Sequence, residues 1–401
     1  MFSSLRKAPR NIWALSLTSF FRDVASEMLV HLLPLFLANV LGIRTSIIGL
    51  IEGIAETTAS LMKIYSGWLS DKLGRRKELT VAGYGLAALA APLLLIARSW
   101  PVVLLYRFLD RLGKGVRTAP RDALIADSIT PEHRGVAFGL HRAADTGGAF
   151  VGLLLAIWLV WRSQLGEWQL TADTFRAIVW WALIPAILAV ATVAFGVKET
   201  LKTTPPNATP PHFTLAGLGR PFQRFLLVMI LFTLGNSTDA FLVLRAQSSG
   251  ASVVMVLAMI AGFNLIYALL ATPAGAISDK IDRRKVVITG WLLYALVYLG
   301  FAFARHPWHF WLLYGVYGVY YALTDGVAKA LVADFAPAAK RGTAYGIYNA
   351  AVGLTVLPAS VIAGILWQGI GTWMGFGPAA PFLFGSSLSL LTATLLWRWV
   401  R

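Results

Sequence analysis

Apolar runs of about twenty residues, each closed by a charge, a proline or a glycine, recur twelve times along the chain. They fall near Ile12–Ala38, Ile47–Leu69, Leu79–Ala97, Pro101–Leu124, Val136–Trp158 and Ala177–Val197, then near Phe222–Leu244, Val253–Ile277, Val286–Ala304, Trp308–Leu331, Thr343–Trp367 and Phe382–Trp397. A helix needs roughly twenty such residues to cross the hydrocarbon layer of a bilayer. The pattern therefore predicts an all-α integral membrane protein of twelve transmembrane helices. Between the sixth and seventh runs lies a polar stretch with Pro205, Pro206, Pro210 and Pro211, too poor in apolar side chains to fold. The expected organisation is a six-helix bundle over 1–197, a linker over 198–220 and a second six-helix bundle over 221–401.

Composition agrees with this pattern. Hydrophobic residues make up 57% of the 401 and charged ones 13%, against about 25% charged in an ordinary soluble domain. The net charge of +16 would, in a soluble protein, point to nucleic acid. Here the basic residues stand between the spans, which is how membrane proteins mark their cytoplasmic loops. With the N-terminus inside, nineteen Lys and Arg residues fall in inside loops or tails and six in outside loops. That bias predicts a multi-pass protein of the plasma (inner) membrane with both termini and the linker cytoplasmic, and no nucleic-acid partner. Arg6, Lys7 and Arg10 precede the first apolar run, but Arg22 and Asp23 interrupt it and no small-residue cleavage site follows, so it reads as an uncleaved helix. Without cysteine there are no disulfides, thiolate metal sites or cysteine nucleophiles. No nucleotide fingerprint or metal-binding histidine set appears, so neither a cofactor nor an enzymatic activity is expected.

The chain also repeats itself. Gly67-Trp-Leu-Ser-Asp71-Lys-Leu-Gly74-Arg75-Arg76-Lys77 is echoed by Gly275-Ala-Ile-Ser-Asp279-Lys-Ile-Asp282-Arg283-Arg284-Lys285, an offset of 279 − 71 = 208. Arg134-Gly135-Val-Ala-Phe-Gly139 is echoed by Arg341-Gly342-Thr-Ala-Tyr-Gly346, an offset of 341 − 134 = 207, and Ala126-Asp127 by Ala333-Asp334. Separate echoes at almost one offset indicate duplication.

On these motifs the chain resembles the major facilitator superfamily, whose loop between the second and third helices has the form Gly-x-x-x-Asp-Arg/Lys-x-Gly-Arg-Arg. Gly67, Asp71, Lys72, Gly74, Arg75 and Arg76 match it throughout. The resemblance implies the fold of that family, two pseudo-symmetric six-helix bundles that rock about a central site. It also implies a conformational brace formed by Gly67, Asp71, Gly74, Arg75 and Arg76, with Gly275, Asp279, Arg283 and Arg284 in the second copy. Within it Arg75 is expected to pair with a carboxylate at the cytoplasmic end of the fourth helix, for which Asp122 is the candidate. Arg107 matches the family's intramembrane arginine, while Asp110 and Arg111 stand where Gln and Gly are usual. Gly147, Gly148 and Gly152 are similar to the glycine-rich antiporter motif, without its proline.

Charges inside spans are costly and so face a water-filled cavity or a partner. The first span carries Asp23, Glu27 and His31 at a spacing of four, one stripe on a helix. The second carries Glu52, Glu56 and Lys63, the fourth Arg107, Asp110, Arg111 and Lys114, and the fifth Arg142 and Asp145. In the second half Asn236 and Asp239 lie in the seventh span, and Asp325 and Lys329 in the tenth. The interiors of the third, sixth, ninth and twelfth spans carry no charge. In the family the chain resembles, those four helices face outward and the first, fourth, seventh and tenth line the cavity. Lys63 and Lys114 read as side chains reaching for headgroups. The expected function is secondary transport of a small molecule by a monomer, with a proton as coupling ion and export as the favoured direction. A non-transporting membrane sensor and an importer of a small anionic metabolite stand as alternatives, and a cationic substrate stays open beside an anionic one.

Overall fold

A computed structural model describes residues 9–130, 133–163, 168–200, 214–278, 280–337 and 340–400, and among these all regular structure is helical. Twelve long helices follow one another: α1 Arg10–Val40, α2 Thr45–Leu73, α3 Arg76–Leu95, α4 Trp100–Asp127, α5 Arg134–Ser163 and α6 Ala172–Gly196. The second set is α7 Gly219–Ser248, α8 Val253–Ser278, α9 Arg283–Phe303, α10 Pro307–Phe335, α11 Arg341–Gln368 and α12 Ala380–Trp399. Nine of the twelve are long and apolar enough by themselves to cross a membrane, α2, α4 and α10 being the others. Those three have 28 or 29 residues, about 42 Å of helix; their charged and tyrosine-rich faces, not their length, lower their hydropathy.

Local chemistry sets the ends. Thr171 accepts from the Thr174 backbone at the start of α6, and Asp282 accepts from the Arg284 backbone at the start of α9, as N-caps do. Gly74, at φ +63°, closes α2, and Gly369, at φ +73°, closes α11. Two spans are discontinuous. The regular part of α1 stops at Val30, resumes over Leu33–Leu35 and ends in a wide turn over Phe36–Val40. In α7, Gly219–Gly235 and Ala240–Ser248 are separated by Asn236, Ser237, Thr238 and Asp239.

The chain divides into two compact units. The first comprises Met1–Phe36, Thr58–Leu165 and Leu170–Pro211; the second comprises Leu37–Thr57, Gly166–Gln169 and His212–Arg401. Within the first, α1 packs on α5 and α6, and α3 on α4. Gly148 and Gly152 of α5 make the first contact possible, because a Cβ on either would strike the α1 backbone at Phe20 or Val24. Within the second unit the same pattern recurs, α7 on α11 and α12, and α9 on α10. The first half of α2 belongs to this unit, where Thr57 Oγ1 donates to Gly353 O at 2.7 Å. Large apolar side chains such as Trp180, Ile187 and Phe195 of α6 are exposed, a face suited to lipid. Residues 1–8, most of the predicted linker (201–213), Asp279 and Arg401 lie outside the described residues.

Candidate functional site

In the first unit the charged residues converge. A cavity of about 430 Å³ is lined from α1 by Ser19, Arg22, Asp23, Ser26, Glu27 and Val30, and from α2 by Lys63. The fourth helix adds Asp110, Arg111, Lys114, Arg117, Thr118, Arg121 and Asp122, and the fifth adds Arg142 and Asp145. Seven of these side chains are basic and five acidic. Lys63 and Lys114 thus stand in the cavity wall.

Asp110 is the hub. Its carboxylate bonds Arg22, and Arg107 Nη1 and Arg111 Nε lie 4.0 and 3.9 Å away. Asp110, Arg22 and Arg107 are each at most 5% exposed. Nearby, Ser19 Oγ donates to Asp145 Oδ1 at 2.7 Å, and Arg142 Nη1 stands 3.5 Å from Asp145. Glu27 is met by His31 Nε2 at 3.0 Å. Within the stripe Asp23, Glu27, His31, the last two members pair with each other, and Asp23 and Glu27 line the cavity. Arg117 and Arg121 were absent from the residues singled out by sequence. They continue the spacing of three and four that runs through Arg107, Arg111 and Lys114, which is the signal that identifies them.

The brace is built differently from the sequence expectation. Arg75 pairs with Glu78 at 3.3 Å, not with Asp122, and Asp122 is bonded by its neighbour Arg121 at 2.8 Å. It is Arg76 that spans the gap, holding Asp71 at 2.8 Å and bonding Asp127 at the end of α4. The cause is helix length: α4 continues to Asp127, past the predicted end at Leu124, so its last turn faces the loop. Gly67 lets α2 approach α4 there, with Ala119 Cβ 3.3 Å from where a Cβ would stand, whereas Gly275 has open space.

The same joint exists in the second unit. Arg283 Nη1 donates to both oxygens of Asp334 at 2.9 and 3.0 Å, and both 283 − 76 and 334 − 127 equal 207. Arg134 Nε donates to Ala126 O, and Arg341 Nε to Ala333 O, each at 3.2 Å. Arg284, the other basic residue of this loop, is turned to Asp282 and to Val400 O instead.

The remaining predicted residues lie in the second unit. Glu52 and Glu56 fall in its share of α2, Glu52 being buried. Asp239, at the break in α7, accepts from Tyr317 OH at 2.9 Å, and Asn236 Oδ1 from Tyr294 OH at 3.3 Å. Asp325 is bonded by Lys329 Nζ at 2.9 Å and by Tyr267 OH at 3.2 Å. Around them stands an aromatic cluster: Phe232 stacks on Trp291 at 4.5 Å, Tyr294 on Tyr298 at 4.0 Å, and Tyr317 on Tyr320 at 5.4 Å. None of these tyrosines was singled out by sequence. Their spacing at Tyr314, Tyr317, Tyr320 and Tyr321 marks one face of α10.

Comparison with known proteins bears on this geometry. The family model described as Major Facilitator Superfamily matches residues 15–247 and 224–401. An uncharacterized MFS-type transporter of Methanocaldococcus jannaschii is 35% identical over 98% of this chain and 95% of its own length. A multidrug resistance protein, MdtG of Dickeya zeae, is 24% identical over 75% of this chain and 73% of that protein. Among solved structures, the nucleoside transporter NupG superposes with a TM-score of 0.78 at 15% identity, covering 96% of this chain and 99% of the other.

Proposed function

This chain belongs to the Major Facilitator Superfamily, and from that premise we propose that it exports a small organic anion in exchange for a proton. The observation that carries the reading is the cavity of the first unit, where seven basic side chains face five acidic ones. Charges withdrawn from water are tolerated when compensated, and an anion entering this cavity supplies the missing negative charge.

Direction follows from physical coupling. One elementary charge moved across 100 mV is worth about 2.3 kcal/mol, so a membrane potential negative inside drives an anion out and a proton in. An antiporter with a cytoplasmic N-terminus uses both forces in the same sense. The multidrug resistance protein among the relatives supports export. The proton is assigned to the α1 stripe, chiefly Glu27 with Asp23 in support. Both line the cavity, and Arg111 and Lys114 stand in the same wall as competing cations.

Purified protein in proteoliposomes tests the reading. A panel of carboxylates, phosphate monoesters and organic cations is loaded inside, and a pH gradient is imposed. Efflux of anions driven by the gradient is expected; a response to organic cations alone overturns the substrate class. Glu27→Gln should keep anion exchange and lose the response to the gradient. Undiminished gradient-driven transport in that variant would exclude Glu27 as the coupling residue.

A further inference from the structure

Arg117 differs from Arg22, Arg121 and Arg142 of the same cavity. Arg22 is bonded to Asp110, Arg121 to Asp122 and Arg142 to Asp145, each a guanidinium with a carboxylate. The Arg117 side chain is 6% exposed, its Nε and Nη1 are enclosed without a hydrogen-bond partner among the described residues, and its guanidinium lies 4.5 Å over the ring of Tyr84. An aromatic face attracts a cation but accepts no conventional N–H hydrogen bond of the kind a carboxylate offers. A guanidinium stays protonated in proteins, so this charge persists beside a cavity with its donors unmet.

Its position is fixed rather than adaptable. Helices α3 and α4 cross at Gly83 and Gly113, where a Cβ on Gly83 would stand 2.6 Å from Gly113 O and from Arg117 Cβ. The crossing presses Arg117 between the Tyr84 ring and the cavity. Such preorganisation favours a ligand that brings acceptors to it.

We propose that Arg117 anchors the anionic end of the substrate, and that the substrate class is a compact dianion, a dicarboxylate or a phosphate monoester. The inference rests on the organic-anion reading and deepens it. The count of charge favours the higher valence: the wall has two more basic than acidic side chains, which a dianion compensates better than a monoanion. Arg117 takes one negative group through planar N–H donors, and Lys114, three residues away on the same helix and in the same cavity wall, takes the second.

Calorimetric titration of the full chain in lipid nanodiscs, with succinate, inorganic phosphate, acetate and choline as probes, tests it. Succinate and phosphate are expected to bind at least tenfold more tightly than acetate, and Arg117→Gln to lose at least tenfold in affinity for both while acetate changes less than twofold. Arg117→Lys keeps the charge without the planar donors and is expected to lose about fivefold, so the test stands even where the Gln variant does not fold. Dianion affinity unchanged in the folded Gln variant, or in the Lys variant, overturns the role of Arg117 and leaves the organic-anion reading in place. Acetate bound as tightly as succinate overturns the dianion class alone. A wild-type protein that binds choline and none of the three anions overturns the organic-anion reading itself.

Discussion

In the first unit the carboxylate of Asp110 sits among Arg22, Arg107 and Arg111; in the second, Asp239 receives its hydrogen bond from the hydroxyl of Tyr317, inside a cluster of stacked rings. The scaffolds around these two sites are copies. Each unit packs its first helix on its fifth and sixth and its third on its fourth, and each ties the start of the third to the end of the fourth with an Arg–Asp pair at an offset of 207. Duplication thus preserved the joints and let the interiors diverge. One interior became a field of formal charge, suited to ions; the other became aromatic and hydroxylic, suited to apolar surface and neutral polar groups.

The largest expected effect separates those interiors. Asp110→Ala removes the carboxylate that bonds Arg22 and stands within 4.0 Å of Arg107 and Arg111, and breaking a buried ionic network from one side costs about 3–5 kcal/mol. Tyr317→Phe removes one hydrogen bond to a carboxylate, worth about 1.5–3 kcal/mol. Thermal unfolding of the purified variants, followed by fluorescence-detected size exclusion, should show Asp110→Ala collapsing the yield of monodisperse protein while Tyr317→Phe lowers its melting temperature by a few degrees. Equal losses would mean that the two interiors bear on stability alike, and the contrast drawn here would fall.

A smaller difference is expected between the two joints. Arg76 is 16% and Asp127 6% exposed at the side chain, against 31% and 42% for Arg283 and Asp334. Solvent screens the second pair more than the first. Asp127→Asn and Asp71→Asn, which both leave Arg76 short of an acceptor, should therefore slow substrate exchange strongly with membrane insertion near normal, and Asp334→Asn should slow it less. Exchange rates in proteoliposomes give the ranking; a greater loss at Asp334 reverses it.

What the chain's pattern revealed and what it hid divide along physical lines. Spans were legible because twenty apolar residues leave few alternatives in a membrane, and every predicted span has its helix. The charged stripe on α1 was legible too, since spacing within one helix fixes a face. Partners across helices were not. Asp122 and Asp127 are 127 − 122 = 5 residues apart on α4, and which of them meets the loop depends on where the helix ends, a matter of one turn. Arg117 and Arg121 were not singled out, although they continue the spacing of Arg107, Arg111 and Lys114. The tyrosines of α10 were passed over because an aromatic residue is at home both at an interface and in a core, and only the neighbouring helices decide which.

The smallest effect concerns the two loops that carry the joints. Gly74 stands at φ +63°, a conformation that costs an L-residue roughly 1–2 kcal/mol, so Gly74→Ala should lower stability by about that amount. At the corresponding place in the second loop stands Asp282, at φ −56°, whose carboxylate accepts from the Arg284 backbone at 2.9 Å and from its side chain. No left-handed residue is needed there, and replacing a capping Asp by Gly costs only a few tenths of a kcal/mol. The two loops also differ in their response to acid. The hydrogen bonds from Arg284 hold the Asp282 carboxyl below its ordinary range. A carboxyl depressed in the folded state contributes its stabilisation above the unfolded pKa and loses it as pH falls through the folded value. The stability difference between wild type and Asp282→Gly should therefore be constant near neutrality and shrink below about pH 4, while the deficit of Gly74→Ala, which involves no titrating group, should not change with pH. Melting curves of both variants across an acid series decide it. An Asp282→Gly deficit that does not fade with acid would show that the second loop is held by its backbone rather than by its charge, and a Gly74→Ala deficit that fades would show that a titrating group bears on the first loop.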